Sequence, residues 1–307
     1  SCRRVAALLR AHGTQPGDTV SVVMPNGLVT LQWLLGAMHG GWCVNPVNLL
    51  SQPEQMRCVL DHSDCKLVVV SPAWEAAVRG HLANIERAVA VRVVDPDAAA
   101  EPDARAAVAN PTAPPASESV ALLMYTSGTT GMPKGVMLTH ANLAANALAV
   151  STEHHLHPAD RVLAVLPLYH INAFAVTMLA PLAHGGSLVM PAKFSAARFW
   201  AQAMANQCTW LNVVPTMISY LLEGEAPPRE QTARIRFCRS ASAALPPDHL
   251  RAFEQKFGVG IIETMGLTET MAPAFSNPLA ATQRKLGSVG RASGCEARVV
   301  DAALQPV

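Results

Sequence analysis

Short apolar runs, bounded by Gly, Pro or polar clusters, alternate along the chain with stretches of helical period. Thr19–Met24, Lys66–Val70, Val89–Val94, Val120–Tyr125, Gly135–Leu138, Arg161–Leu166, Ser187–Met190, Trp210–Val214, Ile235–Cys238 and Val259–Ile262 read as strands. Most are apolar almost throughout, as expected of strands buried on both faces of a parallel sheet. Arg3–His12, Leu28–Met38, Ala141–Val150, Phe194–Asn206 and Pro247–Phe257 read as helices, with Gly13 and Gly40-Gly41 stopping the first two. This alternation predicts an α/β architecture. Residues 95–118 break the pattern: five prolines, many alanines and no apolar period mark a flexible surface connection, either a domain linker or a long loop.

Composition narrows the function classes. The 307 residues are enough for about two domains and a sizeable core. A net charge of +1 without runs of one sign leaves no electrostatic footprint for nucleic acid. The longest apolar stretch, Phe174–Ala192, is interrupted by Pro181, His184, Gly185 and Gly186 and fails as a membrane span. The N-terminal Ser1-Cys2-Arg3-Arg4 opens an amphipathic run and not a signal peptide. Seven scattered cysteines with no CxxC pair read as reduced thiols of a cytoplasmic protein. Glu153-His154-His155-Leu156-His157 has the composition of a metal tract, but Pro158 follows and no distant ligand is suggested, so it reads as a solvated helix end.

The strongest chemical signal is the segment Tyr125 to Gly135, YTSGTTGMPKG. Thr126, Ser127, Thr129 and Thr130 supply hydroxyls, Gly128, Gly131 and Gly135 open the backbone to close approach, and Lys134 adds a cation. Hydroxyls, accessible N–H groups and one cation together make a polyphosphate cradle. It is not a Walker A loop, because Lys134 follows Pro133 and precedes Gly135; by composition alone it could equally be a polar turn.

The order of these residues, continuing through Val136-Met137-Leu138-Thr139-His140-Ala141-Asn142, resembles the signature loop of the adenylate-forming superfamily, and specifically AMP-forming acyl-CoA synthetases. Further matches follow in chain order: Leu166-Pro167-Leu168-Tyr169-His170, Ser240-Ala241-Ser242-Ala243-Ala244-Leu245, Glu263-Thr264-Met265-Gly266-Leu267-Thr268-Glu269 and Gly287-Ser288-Val289-Gly290. The resemblance implies that Thr126, Ser127, Gly128, Thr129, Thr130, Gly131 and Lys134 hold the ATP phosphates. It also implies that Ser242, Ala243, Glu263, Thr264, Met265 and Gly266 line the nucleotide pocket. Thr268 would contact the α-phosphate, Glu269 would hold Mg²⁺, and His170 would lie beside the acyl site and gate the thiol tunnel. His170, Thr268 and Glu269 are thus the expected catalytic residues. Met265 replaces the family's tyrosine, and a thioether covers adenine with less area and no fixed geometry.

The implied fold is two αβ lobes with mostly parallel sheets packed together, plus the start of a small β subdomain. The lobes are expected over residues 1–150, whose first 30 can pack on the second lobe, and 151–285; the β subdomain is expected to begin at 286–307. The family's ribose-binding Asp, hinge and lysine-bearing C-terminal domain have no counterpart, so the chain is expected to be a fragment with little turnover of its own. The implied reaction joins a small or medium carboxylic acid to coenzyme A through acyl-AMP, with ATP, Mg²⁺ and coenzyme A taking part. Oligomeric state stays open. An amino-acid adenylation domain loading a carrier protein is the alternative, but Leu168-Tyr169-His170-Ile171-Asn172 lacks the acid that would bind an ammonium group. A nucleotide-binding module without catalysis is the third reading. Ile235–Ser240 and Lys193-Phe194-Ser195 look closest to oxalate-CoA ligases, although Met271-Ala272-Pro273 stands where those have a His.

Overall fold

The computed structural model describes residues 2–98, 113–127 and 132–307; the middle of the expected surface connection, residues 99–112, lies outside them. The chain forms two compact units, one of residues 1–143, 167–174 and 190–193, the other of residues 144–166, 175–189 and 194–307.

The first unit contains α1 (Cys2–Ala11), β1 (Thr19–Val23), α2 (Leu28–His39), β2 (Cys43–Pro46), α3 (Pro53–His62), β3 (Leu67–Val70), α4 (Glu75–Leu82), β4 (Ala90–Val93), β5 (Val120–Ser127) and β6 (Pro133–Thr139). Its six-stranded sheet has the order β4-β3-β1-β2-β5-β6, parallel except for β6, which returns antiparallel to β5. Every residue of β2 and β3 is buried, which is why β3 reads as LVVV without alternation. Val23, Val68, Val70, Met56, Val59 and Leu60 form one of its cores. Helix α1 lies close on α2, where a methyl on Gly36 would stand 2.6 Å from Val5 Cβ.

In the second unit the chain continues from Ala144 within α5 (His140–Glu153). It then runs through β7 (Arg161–Ala164), α6 (Ala180–Ala183), β8 (Ser187–Val189), α7 (Ala196–Ala205), β9 (Trp210–Val213), α8 (Pro215–Glu223), α9 (Arg229–Thr232), β10 (Phe237–Ser240), α10 (Pro247–Phe257), β11 (Ile261–Met265), β12 (Phe275–Ser276) and β13 (Arg291–Ala292). Its sheet has the order β13-β12-β11-β10-β9-β7-β8, parallel from β8 to β11 and antiparallel at β12 and β13. One face packs Leu163, Leu211, Val213, Cys238 and Ile261 against Phe199, Trp200, Phe253 and Phe257. The apolar run read from Phe174 is the π-helix Asn172–Leu179, α6 and β8. Among the described residues no helix is long and apolar enough to cross a membrane.

The segment Gly287–Gly290 has a structural reason for its glycines. Both have positive φ, 73° and 93°. The Asn277 side chain amide donates to Ser288 O, and its Oδ1 accepts from Lys285 N–H at 3.2 Å, pinning the segment beside β12. A methyl on Gly290 would overlap the Ser276 carbonyl and Asn277 N, which are backbone and cannot step aside; one on Gly287 would meet only Pro247, at 4.0 Å. Gly287→Ala should therefore cost only the roughly 1–2 kcal/mol of a left-handed non-glycine residue. Gly290→Ala should cost clearly more. Urea unfolding of the two variants checks this, and equal losses would contradict it.

Candidate active site

In the first unit the signature segment forms the β5–β6 hairpin. Tyr125 pairs with Gly135, Thr126 with Lys134 and Ser127 with Pro133, so the lysine stands directly across from the first loop hydroxyl. Gly128, Thr129, Thr130 and Gly131 at the tip lie outside the described residues. Lys134 is exposed and Thr126 half-buried. Gly135 is closely packed, since a methyl would come to 2.9 Å from Leu123 Cδ1 and 3.3 Å from the Tyr125 ring, and the leucine would have to shift. That ring is anchored from α3, where His62 Nδ1 and Tyr125 OH are hydrogen-bonded at 2.8 Å. Burial pushes the Tyr125 hydroxyl pKa upward, so it stays protonated.

A cleft of about 100 Å³ opens beside the base of this hairpin, lined by Val47, Asn48, Ser51, Gln55, Thr126 and Tyr169. It sits beyond the carboxyl end of β2, where open α/β sheets collect ligands. The Leu168–His170 segment reaches it because Leu168 N–H donates to Asn26 Oδ1 at 3.0 Å, and Asn26 closely follows β1. The Tyr169 and His170 rings meet edge to face at 4.8 Å. His170, next to Tyr169, is exposed, yet enough protein surrounds the ring to lower its pKa by desolvation, which favours neutral imidazole.

In the second unit the remaining expected residues gather at the carboxyl ends of β10 and β11. Ser242 holds a left-handed backbone, φ 75°, and Ser242 and Ala243 are exposed. Glu263 is buried with Oε1 accepting from Leu245 N–H at 3.1 Å, so it braces the 240–245 loop from below. Met265 is 40% exposed, available to cover a flat ligand. Gly266 packs against the Ala272-Pro273 backbone, where a methyl would come within 2.7 Å of Ala272 Cα. Thr268 and Glu269 lie in a tight turn closed by Ala272 N–H on Leu267 O at 3.0 Å and Met271 N–H on Thr268 O at 3.0 Å. Glu269 is exposed, and no group of three or more His, Cys, Asp or Glu among the described residues could hold a metal ion. A single accessible carboxylate still fits Mg²⁺, which keeps several waters and binds through one or two carboxylates plus substrate phosphates.

Sequence reasoning assigned no role to Arg239. It is fully buried on β10, with Nη2 donating to Thr264 Oγ1 at 2.9 Å and Nη1 to Asn212 Oδ1 at 3.3 Å, while Nε has no partner. Burial lowers its pKa to about 9.

The family whose description is AMP-binding enzyme matches residues 1–307. The chain belongs to the AMP-binding enzyme family. Among its relatives, a sulfoacetate–CoA ligase of Cupriavidus necator is 58% identical over 295 residues, covering 94% of this chain and 57% of the relative. An oxalate–CoA ligase of Arabidopsis thaliana is 31% identical, covering 97% of this chain and 60% of the relative. The ATP-bound crystal structure of MatB from Rhodopseudomonas palustris superimposes with a TM-score of 0.89 at 31% identity, over all of this chain and 61% of that one. The chain thus spans about three-fifths of the length of these family members.

The expected solvated tract at 153–157 needs correction at one position. His155 and His157 are exposed, but His154 is buried against Phe237, ring centroids 5.2 Å apart. Its Nδ1–H donates to Val150 O at 2.9 Å. A helix end that covers a sheet must turn one residue inward, and three histidines within four residues give no sign of which. Burial, with Arg239 adding to it, holds the His154 pKa down to about 3, against 6.5 in the unfolded chain. Between these values the unfolded chain binds one more proton than the folded one, so stability falls as pH is lowered from 6.5. Replacing His154 with Gln should flatten the stability–pH curve below pH 6.5 by about 1.4 kcal/mol per pH unit. Urea unfolding at several pH values tests this; parallel curves for the two proteins would contradict it.

Proposed function

We propose that the protein is an AMP-forming acid–thiol ligase: it activates a small or medium carboxylic acid with ATP and passes the acyl group to coenzyme A. The observation that carries this reading is the β5–β6 hairpin, which sets Lys134 across from Thr126 at the mouth of a hydroxyl- and glycine-rich loop, in a chain matched along its whole length by the AMP-binding enzyme family. The names of the relatives support coenzyme A as acceptor and a small acid as substrate. The absence of an acidic residue from Leu168–Asn172 speaks against an amino acid. Seven cysteines without a disulfide among them suit the cytoplasm.

In this reading a carboxylate oxygen of the acid attacks the α-phosphorus of ATP and pyrophosphate leaves. The thiol of coenzyme A then attacks the acyl carbonyl, and AMP leaves with the bridging oxygen. The first step builds negative charge on phosphate oxygens, which the Lys134 ammonium and the hydroxyls of Thr126, Ser127, Thr129 and Thr130 would meet as donors. Thr268 donates to the α-phosphate. Glu269 offers the carboxylate for Mg²⁺, which would neutralise charge on the phosphates. His170, kept neutral by desolvation, can stand beside the acyl group without pairing with the carboxylate and slowing its attack.

The full-length protein should release AMP only when ATP, an acid and coenzyme A are all present. Lys134→Ala should weaken ATP and pyrophosphate binding by roughly ten-fold or more, the value of about 1.5–3 kcal/mol for a hydrogen bond to a charged group. AMP, which lacks the β- and γ-phosphates, should bind almost unchanged. Calorimetric titration checks both, and equal losses for ATP and AMP would contradict the assignment.

A further inference from the structure

The face of the second sheet opposite the aromatic core carries a row of polar side chains where an apolar one would be expected. Asn212 on β9, Arg239 on β10 and Thr264 on β11 each sit one residue before the end of their strand. Asn212 and Arg239 are direct register partners, and both Asn212 and Thr264 accept hydrogen bonds from Arg239. All three are at least 97% buried. Among the described residues no carboxylate pairs with Arg239. Glu263, the nearest acid in sequence register, points to the other face of the sheet and is bound to Leu245 N–H.

A guanidinium has five N–H donors, and two of those of Arg239 are bonded, both to neutral oxygens. A buried charge left without a counter-charge is costly and is kept where it has an anion to meet. Helix α5 supplies no cation of its own here: its buried Asn146 Oδ1 and His154 Nε2 are acceptors and would not bind an anion, which leaves Arg239 as the group that could. The planar fork of an arginine matches two oxygens of a carboxylate or sulfonate.

We infer that Arg239 is the specificity determinant for an acid substrate carrying a second anionic group, which it holds while the first carboxylate reacts. This rests on the ligase reading above. The reacting carboxylate is not the partner that suits Arg239. It becomes a mixed anhydride and then a thioester, both neutral at the acyl group, and would leave the buried cation unpaired in each intermediate. A second carboxylate or a sulfonate keeps its charge through both steps.

The test uses the full-length protein, with Arg239→Met and Arg239→Lys, and acid-dependent AMP release. Sulfoacetate, oxalate and malonate are set against acetate and propionate. For the best doubly charged acid, Arg239→Met should lower kcat/KM by roughly 100-fold, in the range for a desolvated charge pair losing one partner. The singly charged acids should keep or improve theirs, the KM for ATP should not move, and Arg239→Lys should recover part of the selectivity. Exchanging a buried cation for an apolar side chain of similar size is often neutral or stabilising, so the Met variant should melt no lower than the parent. If it does not fold, the selectivity ratio of the Lys variant decides. Equal losses for both acid classes, or a parent enzyme that prefers acetate, would overturn the inference. If no acid supports AMP release, the ligase reading fails by itself. Arg239 is then judged by melting temperature: a rise with sulfoacetate in the parent but not in Arg239→Met supports the anion site, and no rise in the parent overturns it.

Discussion

A parallel strand covered on both faces has no solvated side on which to carry polar chemistry, and this constraint governs both sheets. Along β3 nothing polar is possible, and Leu67 to Val70 are aliphatic and buried. Inside a strand a polar side chain needs a polar partner, as buried Ser21 of β1 has in Asn45, and most polar groups stand where the strands run out. In the first unit they follow β1 at Asn26 and β2 at Asn48, and close β5 at Thr126. In the second, Asn212, Arg239 and Thr264 occupy penultimate strand positions, with Ser242, Gly266, Thr268 and Glu269 just beyond. Ligand chemistry at the carboxyl ends is therefore what a doubly covered sheet leaves available.

The same constraint explains what could be read from the sequence. Strands buried on both faces announce themselves as unbroken apolar runs, and each run that was read contains a strand or overlaps one by at least two residues. Strand β2 was not legible: it is four residues long, contains Asn45 and ends in Pro46. Asn45 is tolerated because its side chain amide donates to Ser21 Oγ at 2.9 Å on the paired strand. Helix α3 was missed because PEQMRCVLDH buries only Met56, Val59 and Leu60, a narrow stripe. Helices α4 and α8 are similarly short.

The candidate site was legible where the backbone chemistry is unusual. Glycines, hydroxyls and one lysine in YTSGTTGMPKG mark a break between two strands, and the register of β5 with β6 places Lys134 opposite Thr126. Side chains whose meaning comes from tertiary surroundings were not legible. An arginine between Cys238 and Ser240 looks like an edge or surface residue, and only the two flanking parallel strands make it a buried cation. Glu263 shows the reverse. Its place in the motif suggests a ligand contact, while its carboxylate is engaged with Leu245 N–H and supports the loop that would touch the ligand.

The proposed function makes one chemical claim: that the acid would be activated by attack of its own carboxylate oxygen on the α-phosphorus. That claim has a direct isotopic signature. With the full-length protein, ATP, coenzyme A and an acid labelled with ¹⁸O in its carboxylate, the bridging oxygen must leave with AMP when the thioester forms. Mass spectrometry of the nucleotide should find one labelled oxygen in the phosphate of each AMP and none in pyrophosphate. Label appearing in inorganic phosphate with ADP as the nucleotide product, or AMP formed without label, would contradict the account.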